Sequence, residues 1–450
     1  MPAACISPFW QARGSTLIPT LVGDDSRVIG WHAGRLITQG EFLADVANIL
    51  AKLPASGSMV NLCEDRYNFL VTYLAGVIAG HRVLLPPTRV EQVVKEIESL
   101  HEGSYRIDDS AMVSQGVDEH AEMALETKAD QLAMIGYTSG STGQPSAQAK
   151  RWRALHASAA HNSAAMRRAM NLRECDNAFI VATVPPQHMY GMELSVLLPL
   201  LGGMAVHSGR PLFPADIASA LAQVPEPRVL VSTPVHLRAI AQSTQAFPPI
   251  SLIVSATAPL DKALASAVEA KLKAPLLEMF GSTETCVIAT RRTAMDDYWH
   301  SYEAVTLEPL VDGTRVDAPW FQQAVTLQDL LELGPDNHFA VRGRNADMIE
   351  VAGKRASLAD LTRRLLAIEG VKDAAVFQPD QDEVGTIYRV AAAVVAPGMN
   401  AKQILKHLAS TVDAAFLPRP LMLVDALPRN DVGKLPRGKL LELLASRSGS

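Results

Sequence analysis

The chain has 450 residues, of which 48% are hydrophobic and 20% are charged, and its formal net charge is −6 at pH 7. These values are typical of a large globular enzyme with more than one domain, and without a basic tail or stripe they argue against a dedicated nucleic-acid binder. The four cysteines are too scattered for a disulfide framework or a zinc site, which fits a reducing cytoplasm.

No part of the sequence has the pattern of a signal peptide or a membrane span. The N-terminus has no basic stretch before an apolar one. The longest apolar runs, 69–79 and 194–206, are shorter than the roughly 20 residues of a membrane helix and are interrupted by glycine or proline. We therefore expect a cytoplasmic protein without membrane insertion.

Alternating helices and strands are predicted over the first three quarters of the chain. After a helical pattern that runs to Leu53, periodicity predicts a strand at 59–63, a helix at 67–78 that Gly80 ends, and a strand at 83–85. Such a βαβ unit implies a parallel sheet with right-handed crossovers. The alternation continues with helices at 153–170 and 192–201 and with strands at 178–184, 205–207, 229–232, 251–254 and 276–279. The sequence therefore predicts a large α/β domain at residues 1–342.

The remainder of the chain has a different pattern. Helices are predicted at 357–368 and 401–415, and strands at 374–377, 389–395 and 421–424. This is the size of a separate α+β domain, which we place at residues 343–450 with a hinge at Gly343 and Arg344.

A loop rich in glycine and hydroxyl side chains, residues 137–145, lies between the apolar run 132–135 and the helix at 153–170. Gly140 and Gly143 allow the backbone to approach a ligand closely. The hydroxyl donors are Thr138, Ser139, Ser141 and Thr142. A flexible linker is the alternative, but a linker is not normally followed by a long helix. Because no lysine follows Gly143, this is not a Walker loop. The pattern predicts a loop that binds phosphate.

This loop resembles the phosphate-binding loop of the adenylate-forming enzymes, the superfamily of acyl-CoA synthetases, luciferases and nonribosomal adenylation domains. The family loop continues Pro-Lys-Gly, whereas Pro145 is followed by Ser146, so the loop lysine is missing; Lys150 and Arg151 lie close enough in sequence to substitute. The resemblance implies ATP and Mg²⁺ as cofactors. It also implies an α/β fold, with a large multi-sheet N-terminal domain of αβαβα type followed by a small α+β lid.

A histidine follows the strand at 178–184, in the segment Pro-Pro-Gln-His-Met-Tyr-Gly at 185–191. Ligands bind at such carboxyl ends in open α/β sheets. Taken alone, His188 could equally be a loop histidine without a role. The resemblance implies that His188 lines and gates the carboxylate pocket and takes part in catalysis, with Gly191 and Met192 on the pocket floor.

Two further strand ends are candidates for the walls of the acid pocket. Ser232 ends a buried strand, and the segment 255–260 resembles the family's Ser-Gly-Gly-Ala-Pro-Leu turn. In that turn Ala256 and Thr257 stand in place of the glycines, and their bulk is expected to shrink the pocket that Ser255 borders. Ordinary strand-to-helix turns are the alternative for both segments.

The segment Phe-Gly-Ser-Thr-Glu at 280–284 resembles the family motif Tyr-Gly-x-Thr-Glu. The resemblance implies that Phe280 stacks on adenine, Thr283 bonds the AMP phosphate and Glu284 holds magnesium. Phenylalanine keeps the stacking face of tyrosine, and a carboxylate beside hydroxyls suits a hard cation such as Mg²⁺.

Three later residues complete the predicted site by resemblance. Asp329 matches the Thr-Gly-Asp element whose carboxylate holds the ribose hydroxyls, although Gln328 departs from it. Arg344 is expected to bond the ribose region at the hinge, where Ala346 replaces the usual Asp or Lys. Lys434 falls on the catalytic lysine of the C-terminal loop, a stretch that without the family would be an ordinary surface turn.

The resemblance implies adenylation of a small carboxylic acid, followed by transfer to a phosphopantetheine thiol of acyl carrier protein in trans or of coenzyme A. The segment 89–127 is abbreviated, and residues 299–323 replace the family's Gly-Glu-Leu region. These differences resemble the stand-alone ligases of aryl-polyene and xanthomonadin pigment clusters, which load hydroxybenzoate-like acids. Coenzyme A as acceptor remains an alternative, as does transfer to an amine. A nucleotide-binding protein without catalysis is the alternative from another class, motivated by Ser146 and Ala346.

Overall fold

The computed structural model describes residues 16–112, 123–139, 145–173, 176–344, 348–351, 354–379, 390–430, 433 and 435–448. The chain divides into two compact units: a larger one of Met1–Val305 with Asp317–Gln323, and a smaller one of Thr306–Val316 with Ala324–Ser450. The predicted hinge at 343–344 lies inside the smaller unit, within Ala324–Ser450, and stays a prediction.

The strands of the described residues, in chain order, are β1 (Leu17–Pro19), β2 (Val28–His32), β3 (Arg35–Thr38), β4 (Ser58–Asn61), β5 (Arg82–Leu85), β6 (Ser104–Ile107), β7 (Glu126–Lys128), β8 (Leu132–Ser139), β9 (Pro145–Arg151), β10 (Phe179–Ala182), β11 (Ala205–His207), β12 (Arg228–Ser232), β13 (Leu252–Ser255), β14 (Leu276–Ser282), β15 (Cys286–Arg291), β16 (Trp299–Ser301), β17 (Thr306–Leu310), β18 (Gly313–Asp317), β19 (Val325–Leu327), β20 (Asp329–Leu333), β21 (His338–Arg344), β22 (Met348–Val351), β23 (Lys354–Ser357), β24 (Asp373–Phe377), β25 (Ala391–Val395) and β26 (Leu421–Leu423).

The α-helices are α1 (Gln39–Leu50), α2 (Arg66–Ile78), α3 (Glu91–Ser99), α4 (Trp152–Met170), α5 (Met189–Met192), α6 (Leu198–Leu201), α7 (Pro214–Gln223), α8 (Pro234–Gln242), α9 (Lys262–Leu272), α10 (Leu358–Leu366), α11 (Ala401–Leu408) and α12 (Arg437–Ser448). Among the described helices, none combines the length and the apolar character needed to cross a bilayer.

One sheet of the larger unit has the strand order β6-β4-β5-β8-β9. Strands β4, β5, β6 and β8 are parallel, and β9 turns back antiparallel to β8. The helix that connects β4 to β5 begins where Asp65 accepts hydrogen bonds from two backbone N–H groups, and it is followed by Gly80 at a φ of 76°. The predicted βαβ unit is therefore confirmed.

A second sheet of the larger unit includes, in order, β16-β15-β14-β13-β12-β10-β11-β2-β3. The strands from β14 to β2 are parallel, so their carboxyl ends share one edge. Helices α7, α8 and α9 cover one face, where Ile217, Leu237 and Val268 pack on strand residues such as Leu230 and Ile253. The predicted α/β class is confirmed.

The smaller unit combines short sheets with helices; β24 is antiparallel to β25, whereas β26 is parallel to it. Its order is β24-β25-β26 in one sheet, and β22 pairs with β23. Leu361 and Leu365 of α10 and Ile404 and Leu408 of α11 pack against this core. The hydrophobic face of each helix recurs every three or four residues, which is the amphipathic pattern that a covering helix requires.

The predicted helix at 401–415 is too long. The helix ends at Leu408, after which Ser410 Oγ donates to the carbonyl of His407 and Asp413 caps a separate 3₁₀ turn, Ala414–Phe416. Hydroxyl and carboxylate side chains compete with helical hydrogen bonds in this way, and the apolar spacing concealed the break.

Candidate functional site

The predicted site residues of the larger unit cluster along the shared edge of its parallel strands. His188 follows β10, Ser232 ends β12, Ser255 ends β13, and the Thr283–Glu284 turn follows β14. In the ladder Ser232 lies opposite Ser255, and Ser255 lies opposite Glu278. Parallel pairing therefore brings together segments that are nearly one hundred residues apart in sequence.

The glycine-rich loop connects β8 and β9, which form an antiparallel hairpin. Thr138 pairs with Ser146, and Ser139 pairs with Pro145, so the backbone at the base of the loop is fixed. The loop itself, 140–144, which includes the predicted Gly140, Ser141, Thr142 and Gly143, lies outside the described residues. The sequence predicted a loop between an apolar run and a helix, and the strand β9 that follows the loop was missed.

The hairpin lies directly against the Thr283–Glu284 turn. A Cβ atom built on Gly136 of β8 would lie 3.6 Å from Cγ2 of Thr283. The distance shows that two segments predicted to contact phosphate lie next to each other, and the glycine leaves a small space between them. Glu284 adds a carboxylate beside the hydroxyl of Thr283, and such an oxygen donor set fits Mg²⁺.

Local hydrogen bonds hold the turn after β14. The Glu284 N–H donates to Ser282 Oγ at 3.2 Å, and the Ser282 N–H donates to Thr285 Oγ1 at 3.1 Å. Gly281 sits at an irregular step of the β14–β15 pair, where a Cβ would lie 2.7 Å from the Cα of Val287. Only glycine fits there, so the motif glycine has a steric cause.

Behind Phe280 is a buried polar pair that sequence reasoning missed. The Phe280 ring lies 5.3 Å from the Trp299 ring, and the Arg291 guanidinium lies 4.4 Å above Trp299. Glu278 accepts from Arg291 Nε at 2.7 Å and from Thr293 Oγ1 at 2.5 Å. Burial raises the pKa of Glu278, and Arg291 and Thr293 oppose that shift. Arg291 thus packs on Trp299, and Trp299 in turn packs on the predicted adenine-stacking ring.

His188 precedes α5, and its carbonyl accepts the Met192 N–H at 2.7 Å. Met192 is fully buried in a cluster with Trp152 and Leu155 of α4. A π-helical turn, Glu193–Leu197, follows α5, and such turns are frequent at functional sites.

Arg66 anchors this segment to β10. It is 1% exposed, and its guanidinium donates to the carbonyls of Ala182 at 3.1 Å and Val184 at 2.8 Å and to Ser195 Oγ. Burial lowers the pKa of Arg66 to about 9, with repulsion from Arg210 adding to the shift.

The hydroxyls of Ser232 and Ser255 lie on the face of the sheet that α7, α8 and α9 cover, two residues beyond Leu230 and Ile253 of that face. Ser232 Oγ is 3.1 Å from Thr183 Oγ1, which is in turn 3.4 Å from Nδ1 of His236. Met192 packs with α4 instead. The predicted pocket residues therefore do not share one face through their side chains, and His236 is a polar neighbour that the sequence did not reveal.

Thr257 has a φ of 81°, a conformation that β-branched residues rarely adopt. The family motif has glycine at this turn, and the backbone shape gives the reason. Ala256 is 8% exposed beside it. A strained side chain thus occupies a position predicted to border the acid pocket.

The remaining predicted residues belong to the smaller unit. Asp329, which is 9% exposed, begins β20, and it lies directly opposite Arg344 in the pairing of β20 with β21. The antiparallel ladder therefore brings these two predicted ribose contacts together. Lys434, Ala346 and Asp347 lie outside the described residues.

Lys150 and Arg151 were the candidates to replace the missing loop lysine. Arg151 donates instead to the carbonyl of Asp130, at the end of the hairpin away from the loop. Lys150 is 6% exposed, and its Nζ donates to the carbonyl of Glu284. The lysine thus contacts the predicted magnesium-binding turn.

The sequence and the fold were compared with those of known proteins. The model of the family described as AMP-binding enzyme matches residues 59–317. A 4-coumarate–CoA ligase of Halorhodospira halophila is 28% identical over 75% of this chain and 83% of its own length. The medium/long-chain-fatty-acid–[acyl-carrier-protein] ligase FadD10 of Mycobacterium tuberculosis is 30% identical over 32% of this chain and 26% of its own length.

Among solved structures, the o-succinylbenzoate coenzyme A synthetase MenE of Bacillus subtilis, in complex with ATP and magnesium ion, has a TM-score of 0.78. It is 19% identical in sequence, and the match covers 94% of this chain and all of that one. At this identity the likeness shows the fold. Because the family model matches more than half of the sequence, the chain belongs to the AMP-binding enzyme family and is an adenylate-forming acid–thiol ligase.

Proposed function

We propose that this enzyme activates a small aromatic acid, such as a hydroxybenzoate, with MgATP and transfers the acyl group to the phosphopantetheine thiol of an acyl carrier protein in trans. The observation that carries the proposal is the proximity of Gly136 of the hairpin to Thr283 of the turn after β14. It supports a single phosphate-binding site made from both segments.

The reaction has two steps. A carboxylate oxygen of the acid attacks the α-phosphorus of ATP, and the bond to pyrophosphate breaks, which gives acyl-AMP. The pantetheine sulfur then attacks the acyl carbon, AMP leaves, and the thiol proton passes to solvent. Magnesium would be held by Glu284 and would neutralise phosphate charge.

Each predicted residue has a role in the first step. Residues 138–143 and Thr283 orient the phosphates, Phe280 packs on adenine, and Asp329 and Arg344 hold the ribose. The acid lies near His188, Met192 and the 255–257 turn, with Ser232 in a supporting position. Lys434 stabilises the charge that develops between the two reactants.

The substrate class is inferred from bulk at the acid pocket. Ala256 and Thr257 occupy positions where the related motif has glycine, which leaves less depth for a long chain. A compact ring with a hydroxyl fits such a space and fits the likeness to ligases of aryl-polyene pigment clusters.

Coenzyme A is the second candidate acceptor. The match to a relative named as a coenzyme A ligase extends over 75% of the chain, whereas the match to one named as an acyl-carrier-protein ligase extends over 32%. The acceptor is therefore tested directly.

We expect acid-dependent exchange of pyrophosphate into ATP with hydroxybenzoates. Long-chain fatty acids are expected to give at least tenfold lower kcat/KM. The assay uses a panel of benzoates, cinnamates and fatty acids under identical conditions. Absence of exchange with every acid would favour the nucleotide-binding protein without catalysis. For the acceptor, coenzyme A and holo acyl carrier protein compete for one pool of enzyme-bound acyl-AMP, and a product found only on coenzyme A would refute the carrier protein.

Replacing Thr257 by glycine is expected to widen acid selectivity. Glycine adopts a φ of 81° without strain, so the free energy of unfolding should stay within about 1 kcal/mol of the wild type. For acids one or two methylenes longer, kcat/KM should rise about tenfold, since a methylene is worth about 1–3 kcal/mol in a pocket. The matched control is Lys273→Gly at the end of α9. It removes a side chain from a residue with a positive φ of 53° and should leave selectivity unchanged. Equal selectivity in both variants would contradict the pocket assignment.

A further inference from the structure

A buried carboxylate, Glu193, lies in the π-helical turn that follows α5. It is 2% exposed, and its Oε2 accepts the backbone N–H of Val287 at 2.9 Å. The same oxygen accepts from Ser158 Oγ and, at 3.4 Å, from Asn162 Nδ2, both on α4. One carboxylate therefore connects α4, the segment after His188 and the beginning of strand β15.

A buried cation, Lys150, approaches the same region from β9. Its ammonium donates to the carbonyl of Glu284. Burial raises the pKa of Glu193, and its hydrogen bonds and the charge of Lys150 oppose that shift. The two residues thus contact the chain at the carbonyl of Glu284 and at the N–H of Val287, with Thr285 and Cys286 between these groups. The first group belongs to the predicted magnesium ligand, which follows Thr283 directly.

Strand geometry explains why Lys150 reaches this turn. Ile135 of β8 packs with Val60 and Leu84, so Met134 and Gly136 point to the opposite face. Lys150 pairs with Met134 and therefore shares that face, which is the one that contacts Thr283.

The position of the missing loop lysine, Ser146, lies on the same face as Lys150. The two residues are four positions apart along β9, which is about 13 Å at the usual rise of a strand. Lys150 is therefore too far along β9 to take the place of that lysine at the loop, and its ammonium is used at the turn instead.

We propose that Lys150 and Glu193 are positioning residues that hold the Glu284 turn against the β8–β9 hairpin and so preform the site for the magnesium-bound triphosphate. The proposal deepens the proposed function and rests on it for the identity of the ligand. Neither side chain touches the reacting atoms. Lys150 fixes the carbonyl of Glu284 itself, and Glu193 fixes the N–H of Val287, three residues later.

A buried charge left without its partner destabilises a protein by itself, so the test must separate positioning from folding. The binding of MgATP and the binding of AMP without magnesium are each measured by calorimetry. MgATP would need the Glu284 carboxylate in place, whereas AMP binds without magnesium and is expected to contact only Thr283 of this turn, which precedes both fixed backbone groups. The variants are Lys150→Met, Lys150→Arg and the double variant Lys150→Met with Glu193→Gln, in which neither charge is present.

For Lys150→Met we expect the Kd of MgATP to rise at least tenfold while the Kd of AMP stays within threefold. Lys150→Arg keeps a cationic donor and should stay within threefold for both ligands. The double variant should regain thermal stability but not MgATP affinity. The matched control is Lys271→Met, because Lys271 likewise donates to a backbone carbonyl, that of Ser243, away from the hairpin. This control should bind both ligands as the wild type does.

Equal changes in the Kd of MgATP and of AMP in the Lys150 variants, or no change in a folded one, would overturn the proposal and leave both residues with a purely structural role. If Lys150→Met is not recovered folded, the double variant decides by the same two constants. Binding needs no turnover, so a wild type that binds MgATP but fails to exchange pyrophosphate would refute the proposed function alone.

Discussion

Replacing Lys434 by alanine is expected to lower acid-dependent pyrophosphate exchange by about 10²- to 10³-fold. A preorganised ammonium at developing negative charge contributes on that scale, because it acts where water is excluded. Thioester formation from presynthesised acyl-AMP should fall less than fivefold, since the proposed function assigns Lys434 a role in the first step only. Both half-reactions are measured with the same acid at saturating ATP.

The control for this prediction is Lys439→Ala. Lys439 is an exposed lysine of the same terminal region and pairs with Glu442 at 2.8 Å, an arrangement worth little in water. Its loss should leave both half-reactions unchanged. Exchange within threefold of wild type in the Lys434 variant would remove this residue from the catalytic machinery.

Replacing Gly191 by alanine is expected to have the second large effect. A Cβ there would collide with the carbonyl oxygen of Pro185 and lie 2.9 Å from its carbonyl carbon. Backbone cannot yield as a side-chain end does, so the segment that contains His188 has to move. We expect kcat/KM for the acid to fall at least 100-fold and the free energy of unfolding to fall by about 2–4 kcal/mol.

Gly40→Ala is the matched control for this prediction. Gly40 also lies in a helix, α1, but the nearest atom to an added Cβ is 3.4 Å away, in Asp25. Alanine there should keep activity and raise stability by up to about 1 kcal/mol, since it is the better helix former. Denaturant unfolding followed by tryptophan fluorescence reports on the larger unit, which holds the described tryptophans. Similar results for both variants would show that the segment tolerates the methyl group.

Much of the fold could be predicted because its strands are short apolar runs separated by helices of regular period. The strand predicted at 205–207 coincides with β11, and the helix predicted at 153–170 differs from α4 by one residue. Boundaries failed where polar residues decide them, as at Ser410 and Asp413 after α11. The C-terminal helix α12 was missed as well, because it follows a turn rich in proline and glycine.

The candidate site could be predicted only as far as its residues are adjacent in sequence. Thr283 and Glu284 stand in one motif, and the structure brings this motif to the β8–β9 hairpin. Lys150 and Glu193 stand in no motif, and their relation to Glu284 depends on which face of β9 is buried and on a π-helical turn. No spacing in the sequence reports either feature.

The pairing of Asp329 with Arg344 links two predicted functions mechanically. One is the contact of Asp329 with the ribose of the nucleotide, and the other is the hinge predicted at Arg344. Opposed residues of an antiparallel ladder cannot shift independently without breaking the hydrogen bonds between their strands. A sugar held by Asp329 would therefore transmit its binding to the backbone at Arg344, so that occupancy by the nucleotide and the conformation of the predicted hinge are coupled.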